Sequence, residues 1–256
     1  MNTNRRNTLL AIIGLGAAYA GLRFLPDLGR DKLVFEMIDD PLGFRRLTAG
    51  ESSSGFDPFL GLGGSDADHL ADSEIRVRSD ICGALYGDLH TDPGIVPVAS
   101  FSDYFCPYCR VQTRRLAALE ARPDSYLRVI WHELPELGEP SILAAKAALA
   151  AKRQGAYVAF HQRLMKTSFQ ATPRYLMALA DSIGIDHAKL IADMQGDQVA
   201  RELETSAALG RILAFVGTPA MVIGRTVIQG EVSDNTLLRI AAMEKEEGWA
   251  STCVVA

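Results

Sequence analysis

Two of the chain's four cysteines, Cys106 and Cys109, stand two residues apart in FSDYFCPYCRVQTRR. A pair at this spacing can hold a metal, staple a fold or exchange electrons with other thiols. A metal site of this kind needs two further Cys or His ligands at matching spacing. The chain has no second CxxC, and Cys82, Cys253 and five histidines are scattered along it. A staple that closes a loop of two residues removes little unfolded-chain entropy. The pair therefore reads chiefly as a reversible redox couple.

The flanking residues support that chemistry. An apolar stretch, IVPVASFSDY, precedes the pair and predicts a buried strand. Pro107 directly follows Cys106 and favours the first position of a helix expected to run to about Ala121. Cys106 then falls at the N-cap, where unpaired N–H groups and the helix dipole stabilise a thiolate. Cys109 lies one turn later on the same helix face. It is expected to be the less exposed thiol, the one that resolves a mixed disulfide.

A second strand is expected over Tyr126 to Glu133 (YLRVIWHE). Strand, helix and strand at this spacing form a parallel crossover unit. From Ser141 to about Phe215 the pattern is almost wholly helical, which predicts a helical subdomain inserted after the second strand. Two short strands, AMVIG and TVIQG, and a helix from Asp234 to about Glu247 capped by Ser233 complete the pattern. In VGTPAMVIG, Pro219 stands just ahead of a strand that should be central. A proline is tolerated there mainly at a strand start or in a cis turn.

CPYC after a strand, a long helical insertion and Thr218-Pro219 before the third strand together resemble the DsbA-like thiol-disulfide oxidoreductases of the thioredoxin superfamily. The resemblance spans Val96 to about Glu247. It implies an α/β chain with a thioredoxin fold and an inserted all-helical subdomain. It also implies Cys106 as nucleophile, Cys109 as resolving cysteine, Pro107 and Tyr108 as the residues between them, and Pro219 cis beside them with Thr218 presenting its backbone to an extended substrate. The redox-active disulfide of the pair is then the only redox group, with no separate cofactor and no metal. Partners are exported proteins with cysteines and a membrane redox partner that reoxidises the pair. A reductase or isomerase of the same fold is the alternative, and a non-enzymatic thiol-bearing chaperone or metal-handling protein is a third reading. Many family members carry a buried acid six residues before the first cysteine; here that residue is Ser100. Glu133, at the end of the second strand, and His132, on its opposite face, are the candidates for a proton relay. Trp131 and His161 read as core.

The remaining segments set the context. MNTNRRNTLLAIIGLGAAYAGLRFLPD has two arginines and an apolar run from Leu9 to Leu22, the layout of an export signal. Residues 1–25 are thus a signal peptide or membrane anchor, which places the protein in the periplasm, soluble after cleavage or tethered to the inner membrane. Export means an oxidising compartment, where the two remaining cysteines, Cys82 and Cys253, are candidates for a structural disulfide. Between Pro26 and Asp80 acidic residues outnumber basic ones twelve to six, and the Gly- and Ser-rich AGESSSGFDPFLGLGGSDAD lies within. Residues 26–93 therefore read as a flexible lead-in with one short helix capped by Ser79 or Asp80, ahead of a domain over 94–250. A formal charge of −5 leaves no basic stripe for nucleic acid.

Overall fold

The computed structural model describes residues 33–48, 64–92, 94–166 and 168–254. The expected signal or anchor segment and most of the Gly- and Ser-rich stretch lie outside them. Phe35–Ala256 is one compact unit, which holds every element described.

A six-stranded mixed sheet runs through it in the order β1-β2-β6-β5-β3-β4. The strands are β1 (Glu36–Met37), β2 (Arg45–Thr48), β3 (Val96–Ser102), β4 (Leu127–Glu133), β5 (Ala220–Ile223) and β6 (Thr226–Gln229). All seven residues of β3 are buried, as its near-continuous apolar run requires of a strand covered on both faces. It lies between parallel β4 and antiparallel β5. Among the described residues, helices α1 (Gly64–Ser79) and α2 (Ile81–Tyr86) precede β3, and α3 (Pro107–Glu120) links β3 to β4.

Five helices separate β4 from β5: α4 (Glu139–Lys152), α5 (Tyr157–Lys166), α6 (Pro173–Ser182), α7 (His187–Asp193) and α8 (Asp197–Ile212). They are the expected helical insertion. The alanines of α4 at 144, 145, 147, 148, 150 and 151 are all buried. A helix face this apolar belongs against its neighbours, and α5, α7 and α8 pack on it. After β6 come α9 (Asp234–Glu247), capped by Ser233 at the Thr236 N–H, and the short α10 (Ser251–Val254).

The lead-in departs from the expectation of a flexible linker. It supplies α1, and β2 pairs in parallel with β6, so its residues extend the sheet. The two arginines of β2 find partners in the fold, Arg46 at the carbonyl oxygens of Leu213 and Ala214 and Arg45 at two carboxylates. Arg45 is buried, its Nη2 lies 2.6 Å from Glu244 Oε1, its Nη1 2.9 Å from Glu247 Oε2, and its Nε donates to Thr226 Oγ1 at 2.8 Å. A buried guanidinium survives only with such partners. Of the two expected caps for α2, Asp80 is the one used, accepting from the Gly83 N–H.

Candidate active site

The site grows from the turn between β3 and α3. Cys106 is the N-cap of α3, with extended backbone (φ −75°, ψ 119°), and Pro107 opens the helix. The Cys109 N–H donates to Cys106 Sγ at 3.4 Å. This is a helix N–H aimed at sulfur, the interaction that favours a thiolate. The Cys106 thiol itself reaches the Thr218 carbonyl oxygen at 3.2 Å, a bond that holds the protonated form. The Thr218–Pro219 peptide is cis, and both residues are buried. Cys106, Cys109, Thr218 and Pro219, far apart in the chain, thus meet at the carboxyl end of β3, where it pairs with the start of β5.

Both cysteines are thiols, and both are fully buried. The expected contrast in exposure is absent, because the cis loop covers Cys106 as completely as the core covers Cys109. The exposed residue at the turn is Pro107, and Tyr108 is half-buried. What distinguishes the two thiols is electrostatic. Burial pushes the Cys109 thiol well above its ordinary range, and the Cys106 sulfur beside it pushes the same way; the Asp103 N–H and the Thr218 side chain oppose this more weakly. Cys109 is the sulfur that keeps its proton.

The two expected relay residues part company. Glu133 is buried, and its Oε1 accepts from the hydroxyls of Tyr104 and Tyr157, each at 2.6 Å. His161, read from the sequence as a core residue, is buried beside them, with Nδ1 2.8 Å from the Tyr104 hydroxyl. His132 points to the other face of β4, as strand alternation dictates. There its ring stacks on Phe101 at 4.5 Å and its Nε2 lies 2.9 Å from the Leu85 carbonyl. That placement takes His132 out of the cysteine site. Ser100 is buried in β3.

Asp103 was not singled out by sequence, yet it organises the turn. Its Oδ1 accepts from the Phe105 N–H at 2.7 Å and the Ser141 hydroxyl at 2.8 Å; its Oδ2 accepts from the N–H groups of Glu136 at 2.8 Å and Leu137 at 3.0 Å. Its own N–H points at Cys109 Sγ at 3.5 Å. The bond to Phe105 is a local Asx turn, a signal readable from Asp two residues ahead of a turn position. The bonds to 136, 137 and 141 depend on the fold. Away from this site, Cys82 and Cys253 form a disulfide with Cα atoms 5.6 Å apart. Among the described residues no group of three or more His, Cys, Asp or Glu is arranged to hold a metal ion.

The chain resembles known proteins. The model of the DSBA-like thioredoxin domain family matches residues 97–240. A thioredoxin-like oxidoreductase from Silicibacter pomeroyi DSS-3 is 34% identical with a TM-score of 0.59, covering 64% of this chain and 98% of its own. The catalytic domain of Proteus mirabilis ScsC is 29% identical with a TM-score of 0.55, covering 68% and 98%. A periplasmic thioredoxin-like protein from Salmonella enterica serovar Typhimurium is 27% identical with a TM-score of 0.55, covering 65% and 96%. A curated relative, the Na(+)/H(+) antiporter NhaA 3 of Salinispora tropica, is 26% identical over 134 residues, which are 50% of this chain and 20% of the antiporter. The chain thus spans only a fifth of that relative's length. The family match covers more than half of the 256 residues and includes the CPYC turn and Thr218-Pro219, so the chain belongs to the DSBA-like thioredoxin domain family.

Proposed function

We propose that this thiol-disulfide oxidoreductase acts as a dithiol oxidase on exported proteins. In the forward reaction a substrate thiolate attacks the Cys106 sulfur of the Cys106–Cys109 disulfide, and Cys109 leaves. A second substrate thiolate then attacks the substrate sulfur of the mixed disulfide and releases Cys106. The substrate gains a disulfide, and the pair ends as two thiols. A membrane redox partner removes the two electrons and restores the disulfide, and no cofactor beyond the pair takes part. Pro107 and Tyr108 sit at the rim, and the Thr218 backbone is the edge along which an extended substrate segment lies, as an added strand. The signal or anchor read in residues 1–25 and the likeness to a periplasmic relative support an exported location. No described helix is long and apolar enough to cross a membrane.

The observation that carries this reading is the asymmetry of the two sulfurs. The Cys109 N–H donates to Cys106 Sγ, while burial keeps Cys109 protonated. A stabilised thiolate on the attacked sulfur favours the reduced pair and makes its disulfide oxidising. The reduction potential of the couple, measured against glutathione, tests it. A value near about −120 mV is expected for an oxidant of this kind, and one near about −270 mV would place the protein among the reductants.

A further inference from the structure

The helical insertion distributes its charge unevenly. The chain as a whole has 31 acidic against 26 basic residues, a formal net charge of −5. Yet no Asp or Glu occurs from Pro140 to Ala180, where Lys146, Lys152, Arg153, Arg163, Lys166 and Arg174 stand. The start of α3 is alike, with Arg110, Arg114 and Arg115 and no acid between Asp103 and Glu120.

Ion pairs cancel only part of this charge. Lys152 meets Glu202 at 2.6 Å, Arg153 meets Asp193 at 3.4 Å, and Arg115 is paired with Glu231. Arg163, Lys166 and Arg174 are exposed and enter none of the ion pairs among the described residues; Arg163 reaches only the Ser182 hydroxyl, at 3.5 Å. Arg110 is held by neutral acceptors, with Nη1 donating to Ser168 Oγ at 2.8 Å and Nη2 to the Tyr104 carbonyl at 3.0 Å, so these bonds leave its charge in place.

A recess gathers two of these bases beside the redox turn. A cleft of about 530 Å³ lies between α5 and α6, lined by Arg163 and Lys166 of the first and by Tyr175, Ala178, Leu179 and Ser182 of the second. Aromatic rings join it to the cysteines. Phe105, the residue before Cys106, packs on Phe169 with ring centroids 5.1 Å apart, and Phe169 stacks on Tyr175, again at 5.1 Å. All three are half-buried, so a partly open apolar track leads from the attacked sulfur to the cleft. The ring centres of Phe105 and Tyr175 are therefore no more than about 10 Å apart, a span that about three extended residues cover at about 3.3 Å each.

We propose that this cleft receives an acidic segment of the substrate chain, about three to six extended residues from the cysteine that attacks Cys106, and so selects substrates by the charge that flanks their thiols. Carboxylates meet Arg163 and Lys166, and the residues between them and the cysteine cross Phe105, Phe169 and Tyr175. A recess reached over three rings suits a chain threading through it better than a planar layer of lipid headgroups. The net charge of −5 repels acidic peptides at long range, so a preference for them has to come from a local surface. This inference rests on the assignment of Cys106 as the attacked sulfur, whichever way electrons flow in the cell.

The test is single-turnover reduction of the oxidised full chain by excess single-cysteine peptides, quenched in acid and read by mass after alkylation. The peptides are identical except for Glu, Gln or Lys at the fourth and fifth positions on either side of the cysteine. Each rate is divided by that of the same peptide with bis(2-hydroxyethyl) disulfide, which removes the effect of the flanking charge on the thiol itself. At low salt the Glu peptide should react roughly tenfold faster than the Lys peptide, the low end of electrostatic steering. The ratio should shrink toward one at about 1 M salt, where charges more than about 3 Å apart are screened. Arg163→Glu/Lys166→Glu should abolish or invert the preference, while Arg122→Glu/Arg201→Glu, an equal change of charge at exposed positions outside the cleft, should keep it. A native ratio within twofold at low salt, which needs no variant to observe, would overturn the proposal. So would equal losses in the two double variants, because the preference would then follow net charge. Equal peptide rates together with binding of phosphatidylglycerol vesicles by the native chain and not by Arg163→Glu/Lys166→Glu would overturn it in favour of a lipid surface. Each of these results leaves the redox reading intact, whereas failure of every peptide to open the disulfide would sink both.

Discussion

The Cys106 sulfur lies 3.2 Å from the carbonyl oxygen of Thr218, 112 positions later in the chain. One bond therefore ties the nucleophile to the backbone edge proposed to hold substrate. The contact belongs to the reduced pair, since it needs the Cys106 hydrogen, and the same sulfur also receives the Cys109 N–H.

Cys106 should ionise and react before Cys109. Burial and the neighbouring sulfur raise the Cys109 thiol, whereas Cys106 has a helix N–H at its sulfur. Iodoacetamide alkylation across pH should show the thiol of Cys109→Ser reacting at pH 6 while that of Cys106→Ser stays slow. The reverse order would exchange the roles of the two residues.

Asp103→Ala should destabilise the fold by about 3–5 kcal/mol, because it strands three backbone N–H groups and the Ser141 hydroxyl that one carboxylate now satisfies. Urea unfolding would measure the loss. Asp103→Asn keeps an acceptor oxygen and should lose less. A change within 0.5 kcal/mol for Asp103→Ala, about what an ordinary surface substitution gives, would show that water replaces the carboxylate.

The parts of this site that could be read in advance are those governed by neighbours in sequence. Pro107 after Cys106 marks a helix start because proline's fixed φ and missing N–H suit that position, and the apolar stretch before it marks a buried strand. The helical insertion carries its own periodicity and caps. Asp103, Tyr104, Tyr157 and His161 lacked any such local mark, since their meaning comes from contacts made only after α4 and α5 fold back over β4. The same holds for Arg45. Next to Arg46 it looks like part of a solvated linker until β2 pairs with β6 and sets it beside Glu244. The burial of Cys106 is not legible in sequence for a related reason, as its position at the start of α3 says nothing about a cover supplied by Thr218.

Stability should rise with pH between about 4 and 6.5, in part through His132. Burial, opposed by the Leu85 carbonyl and aided by the Lys152 charge, lowers this histidine to about 4. The unfolded chain therefore binds the proton first as pH falls, so the contribution is fully present above pH 6.5 and is lost as pH drops to about 4. A shift of that size corresponds to at most about 3.4 kcal/mol, a ceiling because the ring is only half-buried. Urea unfolding of the native chain and of His132→Gln at pH 4.5 and 7 isolates the effect, with a shallower pH slope expected in the variant. Parallel slopes would assign the acid lability elsewhere.

The Cys82–Cys253 disulfide should matter for stability and leave redox chemistry alone. It links α2 to α10 across a sequence separation of 171 residues. Around it the ends of the domain are joined by other contacts: Trp249 Nε1 donates to the Ile95 carbonyl at 2.9 Å, and the Tyr86 hydroxyl donates to the Gly224 carbonyl at 2.5 Å. The chain-entropy model sets a ceiling of about 5 kcal/mol for a loop of this length, and removal of native disulfides commonly costs about 2–5 kcal/mol. Because Trp249 and Tyr86 hold the same ends together, Cys82→Ser/Cys253→Ser should still fold, with a stability loss toward the lower end of that range in urea. The potential of the Cys106–Cys109 couple should not move, since the clip joins α2 to α10 and neither carries a residue of the cysteine turn. A shift of more than 30 mV, about 1.4 kcal/mol for a two-electron couple, would show that the clip and the redox turn are mechanically coupled. A stability loss below about 0.5 kcal/mol would show that the noncovalent contacts hold the ends without it.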